Sequence, residues 1–235
     1  MTRTERAEAL AFLEELRLNN NKAWMDRNRD RYKLHRGRFE RWVELLADQI
    51  SAFDPSVAGL TAKECTYRMN RDIRFSADKS PYKTHFSAFI APRGKSSGLA
   101  GYYLHLEPVG EGTSTIGHSI LAAGQVCIPP VILRSIREEI IDNGAEMLQH
   151  IAAAKGFYLD ETCKLKRLPV GFEQSKGSPE EELLKLKDHC LVLDLTTEEV
   201  LADDFEEQML TRFHTAKPYL DQLNRAIQYG YEEMM

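Results

Sequence analysis

Apolar side chains recur every three or four positions over residues 4–18, where Leu10, Leu13 and Leu16 share one stripe. That period predicts a helix. Asn19, Asn20 and Asn21 end it, because asparagine suits both a left-handed helix end and the next N-cap. A single long helix is predicted over about 22–51, with Trp24, Asn28, Tyr32, His35, Phe39, Trp42, Leu46 and Ile50 on one stripe. The period then shortens to two. Cys65, Tyr67 and Met69 alternate with polar residues, which predicts a strand from Cys65 to Asn70. Residues 84–91 place Phe86, Ala88 and Ile90 opposite His85, Ser87 and Phe89. Residues 101–108 place Tyr102, Leu104 and Leu106 opposite Tyr103, His105 and Glu107. A fourth strand is predicted near 118–123.

Helical spacing returns after Pro129 and Pro130, with Ile132, Ile136 and Ile140 on one face. Residues 190–195 read as one late strand. Capping boxes are predicted at Ser178 to Glu181 and at Thr196 to Glu199. Asp203 is the predicted cap of a last helix, whose apolar stripe runs from Phe205 to Ile227 and which Pro218 should break or kink. Helices, then antiparallel-looking strands, then helices with one late strand define an α+β class. The expected architecture is a single domain over 1–235: a mainly antiparallel sheet flanked by N-terminal, central and C-terminal helices.

Composition changes this picture little. The 235 residues are 43% hydrophobic and 29% charged, ordinary for a globular chain with a sizeable core. No apolar run has the length of a membrane span, and the N-terminus is charged and amphipathic, so no membrane partner is expected. Cys65, Cys127, Cys163 and Cys190 are widely spaced, with no Cys-x-x-Cys pair. They read as free thiols of a cytoplasmic protein, and no metal site is expected from them. The sequence names no cofactor.

Charge changes it more. Residues 1–95 hold 19 Lys and Arg against 13 Asp and Glu, in a chain of formal net charge −5. Arg68, Arg71, Arg74, Lys79 and Lys83 fall within sixteen positions, with only Asp72 and Asp78 among them. Clustered like charge costs free energy, so carboxylates elsewhere in the fold or an anionic ligand must offset it. Arginine offers a planar fork of donors to phosphate or carboxylate. The candidate ligand-binding residues are therefore Arg68, Arg71, Arg74, Lys79 and Lys83, with Tyr82, Tyr103, Asn28 and Trp24. His105 and Glu107 are a candidate acid–base pair on the neighbouring strand, and Asp72 is a third catalytic candidate.

Three readings stand open on these residues. One is binding of a phosphorylated or carboxylated small ligand, with acid–base catalysis as an extension. Another is a nucleic-acid-binding module using the basic face from Arg27 to Arg41, with aromatic rings stacking on bases. The third is a ligand-free ion-pair network. Phosphate-binding loops, nucleophile elbows and His-Glu-x-x-His motifs do not occur in the sequence.

Several segments together carry a resemblance. They are Leu18 to Trp24 with Asn28 and Tyr32; Arg68-x-x-Arg71-Asp72-x-Arg74-Phe75-x-x-Asp78-Lys79-Ser80-Pro81-Tyr82-Lys83; and Gly101 to Pro108. The run from Gly124 to Pro130, Leu165-Lys166-Arg167-x-Pro169-x-Gly171-Phe172 and Leu184 to Lys187 complete the set. The chain resembles family 2461 of the domains of unknown function, mostly bacterial proteins, over nearly its whole length. Met25 departs from it, standing where the family usually has an aromatic residue. The resemblance supports the choice of site and implies no reaction.

Overall fold

The computed structural model describes residues 1–234. Helix α1 (Arg3–Leu18) starts with a capping box between Thr2 and Glu5. The predicted long helix is two helices. α2 (Lys22–Arg27) is capped by Asn21, whose side chain accepts the Trp24 N–H. α3 (Arg29–Ser51) follows after Asn28, which has non-helical backbone angles and whose side-chain amide donates to the Trp24 carbonyl. A side chain competing for a carbonyl in this way breaks the helical ladder.

The predicted strand from Cys65 to Asn70 is not regular. Thr61 and Glu64 form a capping box that starts a single turn, α4 (Ala62–Cys65). The following segment is extended but pairs only at isolated bridges, Thr66 with Ala88 and Asn70 with Tyr82. Pro81 lies next to the second bridge and has no N–H to extend the ladder.

The sheet comprises β1 (Phe86–Ile90), β2 (Gly101–Leu106), β3 (Ser119–Gln125), β4 (Tyr158–Leu159) and β5 (His189–Leu195), in the order β1-β2-β3-β5-β4. Every pairing is antiparallel. Ala88 pairs with Leu104 and Leu104 with Leu121, so one face of the sheet is continuously apolar. This face joins the main core with Phe12, Phe39, Trp42, Met209, Phe213 and Tyr219.

The remaining helices are α5 (Pro130–Ala153), α6 (Glu181–Lys185), α7 (Thr197–Val200) and α8 (Phe205–Glu232). Pro218 does not break α8: its loss of one backbone hydrogen bond is outweighed by the buried stripe on either side of it, from Phe213 and Ala216 to Tyr219 and Leu220. The Thr196–Glu199 capping box forms. The one at Ser178 does not; Glu181 instead accepts the Gly177 N–H. Asp203 does not cap α8 either: Asp204 occupies that position, with no side-chain capping hydrogen bond. The chain ends are tied together by Trp42 donating to Glu206 at 2.7 Å and by Arg6 donating to the Val200 and Ala202 carbonyls. The protein is α+β around one antiparallel sheet. Among the described residues, no helix is long and apolar enough to cross a membrane.

Candidate functional site

The second face of the sheet carries the polar half of the strand alternation. Phe86 pairs with Leu106 and Ser87 with His105, which places His85 opposite Glu107. His85 stacks on His105, with ring centroids 4.2 Å apart. His105 Nε2 lies 2.9 Å from a Glu107 carboxylate oxygen, and its Nδ1 lies 3.0 Å from the Tyr103 hydroxyl. Both side chains are buried. The other Glu107 oxygen accepts the Thr84 hydroxyl at 2.7 Å, and Ser114 also donates to Glu107.

The loop over 109–117 closes this cluster from outside the sheet. Thr113 exchanges hydrogen bonds with Thr84: each backbone N–H donates to the other's hydroxyl at 2.9 Å. Gly112 lets the loop approach so closely. A Cβ there would lie 2.4 Å from the Thr84 hydroxyl and 2.6 Å from a Glu107 oxygen. Gly112→Ala is expected to cost about 1–3 kcal/mol through this overpacking. Urea midpoints of the two proteins check it; an unchanged midpoint would mean that the loop does not hold the carboxylate.

Burial alone would raise the Glu107 pKa, but hydrogen bonds from His105, Ser114 and Thr84 outweigh it and hold the carboxyl well below its usual range. Burial pushes His85 down to about 3, helped by repulsion from His105 and opposed by Glu107. His85 is therefore neutral at neutral pH. Its Nδ1 is buried and makes no hydrogen bond among the described residues, with the nearest Glu107 oxygen 4.0 Å away. Burial raises the Tyr103 hydroxyl to about 12, so it stays a proton donor.

Lys83 borders the cluster. It lies two residues before His85 and close enough to oppose protonation of that ring. Its ammonium sits 5.2 Å from the centre of the Tyr67 ring. Burial lowers its pKa, and the nearby charges of Arg68 and Arg36 lower it further. Arg36 is itself engaged, pairing with Glu40 and donating to the Tyr67 carbonyl and the Thr66 hydroxyl. Among the described residues, neither Lys83 nor Arg68 has a carboxylate within ion-pair distance.

The other sequence candidates are placed elsewhere. Arg71 staples its own loop: it donates to Asp78 at 2.6 Å, to the Ser80 carbonyl and to the Ser76 hydroxyl. Arg74 and Asp72 form an exposed bidentate pair, and Lys79 donates to the Ile73 carbonyl. The Tyr82 ring is buried in the core, and its backbone N–H and carbonyl are both bonded to the Asn20 side chain. Trp24 packs 5.7 Å from Phe12, and Asn28 caps the α2–α3 junction. Sequence reasoning thus named Tyr103, His105 and Glu107 of this cluster, Lys83 at its border, and Arg68 near Lys83. It missed His85, Thr84, Thr113 and Ser114. The alternation over 84–91 already put His85 on the polar face, which was the available signal for it.

A cleft of about 1060 Å³ lies between α5, α8 and residues 170–174. Most of its charges are matched: Arg134 pairs with Glu138, Arg225 with Glu139, and Arg137 donates to the Leu184 and Leu186 carbonyls, while Asp142 is exposed to solvent. Nothing there calls for a ligand as the unmatched Lys83 does.

The model of family 2461 of the domains of unknown function, described as a conserved hypothetical protein, matches residues 8–221. The chain belongs to that family. No curated protein and no solved structure matches it.

Proposed function

We propose that the protein binds a phosphorylated or carboxylated small ligand at the polar face of the sheet, with Lys83 and Arg68 recognising the anion and the His105–Glu107 pair placed for proton transfer. The observation that carries this reading is the half-buried Lys83 ammonium, which lies near Arg68 and Arg36 and has no carboxylate within ion-pair distance among the described residues. Desolvating a cation next to like charge costs free energy, and an anion bound between Lys83 and Arg68 offsets it. His105 links an ionised, buried Glu107 to the Tyr103 hydroxyl, an arrangement that fixes the orientation of the imidazole. Such a pair transfers protons to a ligand brought within hydrogen-bond reach.

A small anion fits better than a nucleic acid because much of the basic helical face is matched internally, although Arg27 and Arg41 have no carboxylate within ion-pair distance among the described residues. Arg31 pairs with Glu15, Arg38 with Glu5 and Glu8, and Arg29 with Asp26. The four free cysteines suit a reducing, cytoplasmic setting.

A thermal-shift panel of phosphate, nucleotides, sugar phosphates, dicarboxylates and a single-stranded oligonucleotide tests the reading. A ligand that binds only the folded state raises the midpoint by mass action. The expected result is a shift with one class of small anion, abolished in Lys83→Met at unchanged baseline midpoint. Arg71→Ala should instead lower the baseline, by unstapling its loop, and keep the ligand shift. A shift that survives Lys83→Met, or none with any small anion, refutes the site. A shift with the oligonucleotide alone, lost steeply with salt, would favour nucleic acid.

A further inference from the structure

His85 has no part in the proton relay, yet one of its ring nitrogens is left unsatisfied beside a buried carboxylate. Its Nδ1 is buried without a hydrogen bond among the described residues and faces the Glu107 carboxylate across 4.0 Å. That gap is too long for a hydrogen bond and wide enough for an ion with ligand bonds of about 2 Å. His85, His105 and Glu107 each present one ligand atom, and these atoms all lie within 4.8 Å of one another. We propose that His85, His105 and Glu107 form a binding site for a divalent first-row transition cation of the zinc class.

Four features of the cluster support this assignment. The donor set, two imidazoles and one carboxylate, suits zinc and its neighbours better than magnesium or calcium, which prefer oxygen. Three protein ligands leave a coordination position for water or for a ligand atom. The outer contacts are those that orient metal ligands: Tyr103 holds the far nitrogen of His105, and Thr84 and Ser114 hold the Glu107 oxygens. The fourth feature is charge. The Glu107 side chain is fully buried, and among the described residues no Lys or Arg nitrogen lies within ion-pair distance of it. A buried carboxylate needs a positive partner, either a proton on the cluster or a metal ion.

The hydrogen bond between His105 Nε2 and Glu107 is the proton-bearing form of the same site. A cation would take both atoms as ligands, with the imidazole proton moved from Nε2 to Nδ1, where the Tyr103 oxygen accepts it, and the ion's bound water would then supply the acid–base role. Binding of the cation itself does not depend on the anion reading; only the identity of the further ligand at the open position does. With Lys83 nearby, that ligand is an anionic oxygen.

Chelator-treated full-length protein, titrated with Zn²⁺ alone by calorimetry and with Co²⁺ by visible absorption, tests the site. One equivalent of each is expected. Co²⁺ should give visible ligand-field bands without a thiolate charge-transfer band, which separates this site from the exposed Cys127. His85→Ala leaves the Glu107 hydrogen bonds in place and should weaken Zn²⁺ binding at least tenfold at unchanged circular dichroism. Tyr103→Phe should weaken it by roughly tenfold through the lost outer contact. Lys83→Met should bind Zn²⁺ normally while losing the anionic ligand, so the two proposals fail separately. Lack of stoichiometric binding by the wild type, or equal affinity in His85→Ala, overturns the metal site.

Discussion

Glu107→Ala is expected to destabilise the protein by about 3–5 kcal/mol, the usual consequence of removing one partner from a buried charged network. The change strands the Thr84 and Ser114 hydroxyls and the His105 imidazole without their shared acceptor. Glu107→Gln provides the contrast. Its amide oxygen still accepts from Thr84, and its amide nitrogen can donate to His105 once that ring carries its proton on Nδ1. Most of the stability should therefore survive in Glu107→Gln, while ligand and metal binding do not. Urea denaturation of both variants checks this. Equal losses would mean that the carboxylate charge itself, rather than its hydrogen bonds, holds the loop over 109–117.

Mild acid should destabilise the fold before the carboxylates titrate. His189 begins β5, is wholly buried, and has no hydrogen-bond partner on either nitrogen among the described residues. Burial, reinforced by the Arg137 charge, pushes its pKa down to about 3. Burial and the neighbouring Arg38 push His35 in the same direction. Above pH 6.5 these rings are neutral in both folded and unfolded chains and contribute no pH dependence. Below it the unfolded chain takes up protons that the folded chain refuses, so stability falls as pH falls, down to about pH 3 for His189. His189 alone should shift the folding equilibrium by roughly tenfold per pH unit in that window. His189→Leu should remove that slope and hold or raise stability at pH 7, because it eliminates two unsatisfied polar atoms. Urea midpoints between pH 7 and pH 5 measure the difference. Parallel slopes for wild type and His189→Leu would mean that His189 protonates in the folded state.

The sequence made the sheet legible where alternation was strict. Residues 101–108 put Tyr103, His105 and Glu107 on one face, and the structure gathers those three side chains into one hydrogen-bonded chain. The register was not legible. Nothing in the spacing says that His85 stands opposite Glu107, or that Thr84 and Ser114 meet on the same carboxylate. Those contacts depend on strand pairing and on a loop shaped by Gly112.

The arginine-bearing segment was legible as a charge anomaly but not in its pairing. Asp72 and Asp78 neutralise Arg74 and Arg71 within the loop itself, which leaves Lys83, Arg68 and Lys79 without a carboxylate partner among the described residues, Lys79 donating instead to the Ile73 carbonyl. The broken helix at Asn28 and the unbroken helix at Pro218 show the limit of local preference. In the first a side-chain amide captures a carbonyl, whereas in the second a buried stripe outweighs one lost hydrogen bond.

The central claim is that an anionic ligand binds beside the His–Glu cluster. Backbone amide chemical shifts, followed while a phosphomonoester is titrated into isotope-labelled protein, test it most directly. The account predicts saturable changes concentrated at Arg68, Lys83, His85, His105 and Ser114, and their loss in Lys83→Met. Changes centred on the cleft between α5 and α8, or on the exposed pair Arg74 and Asp72, would contradict it.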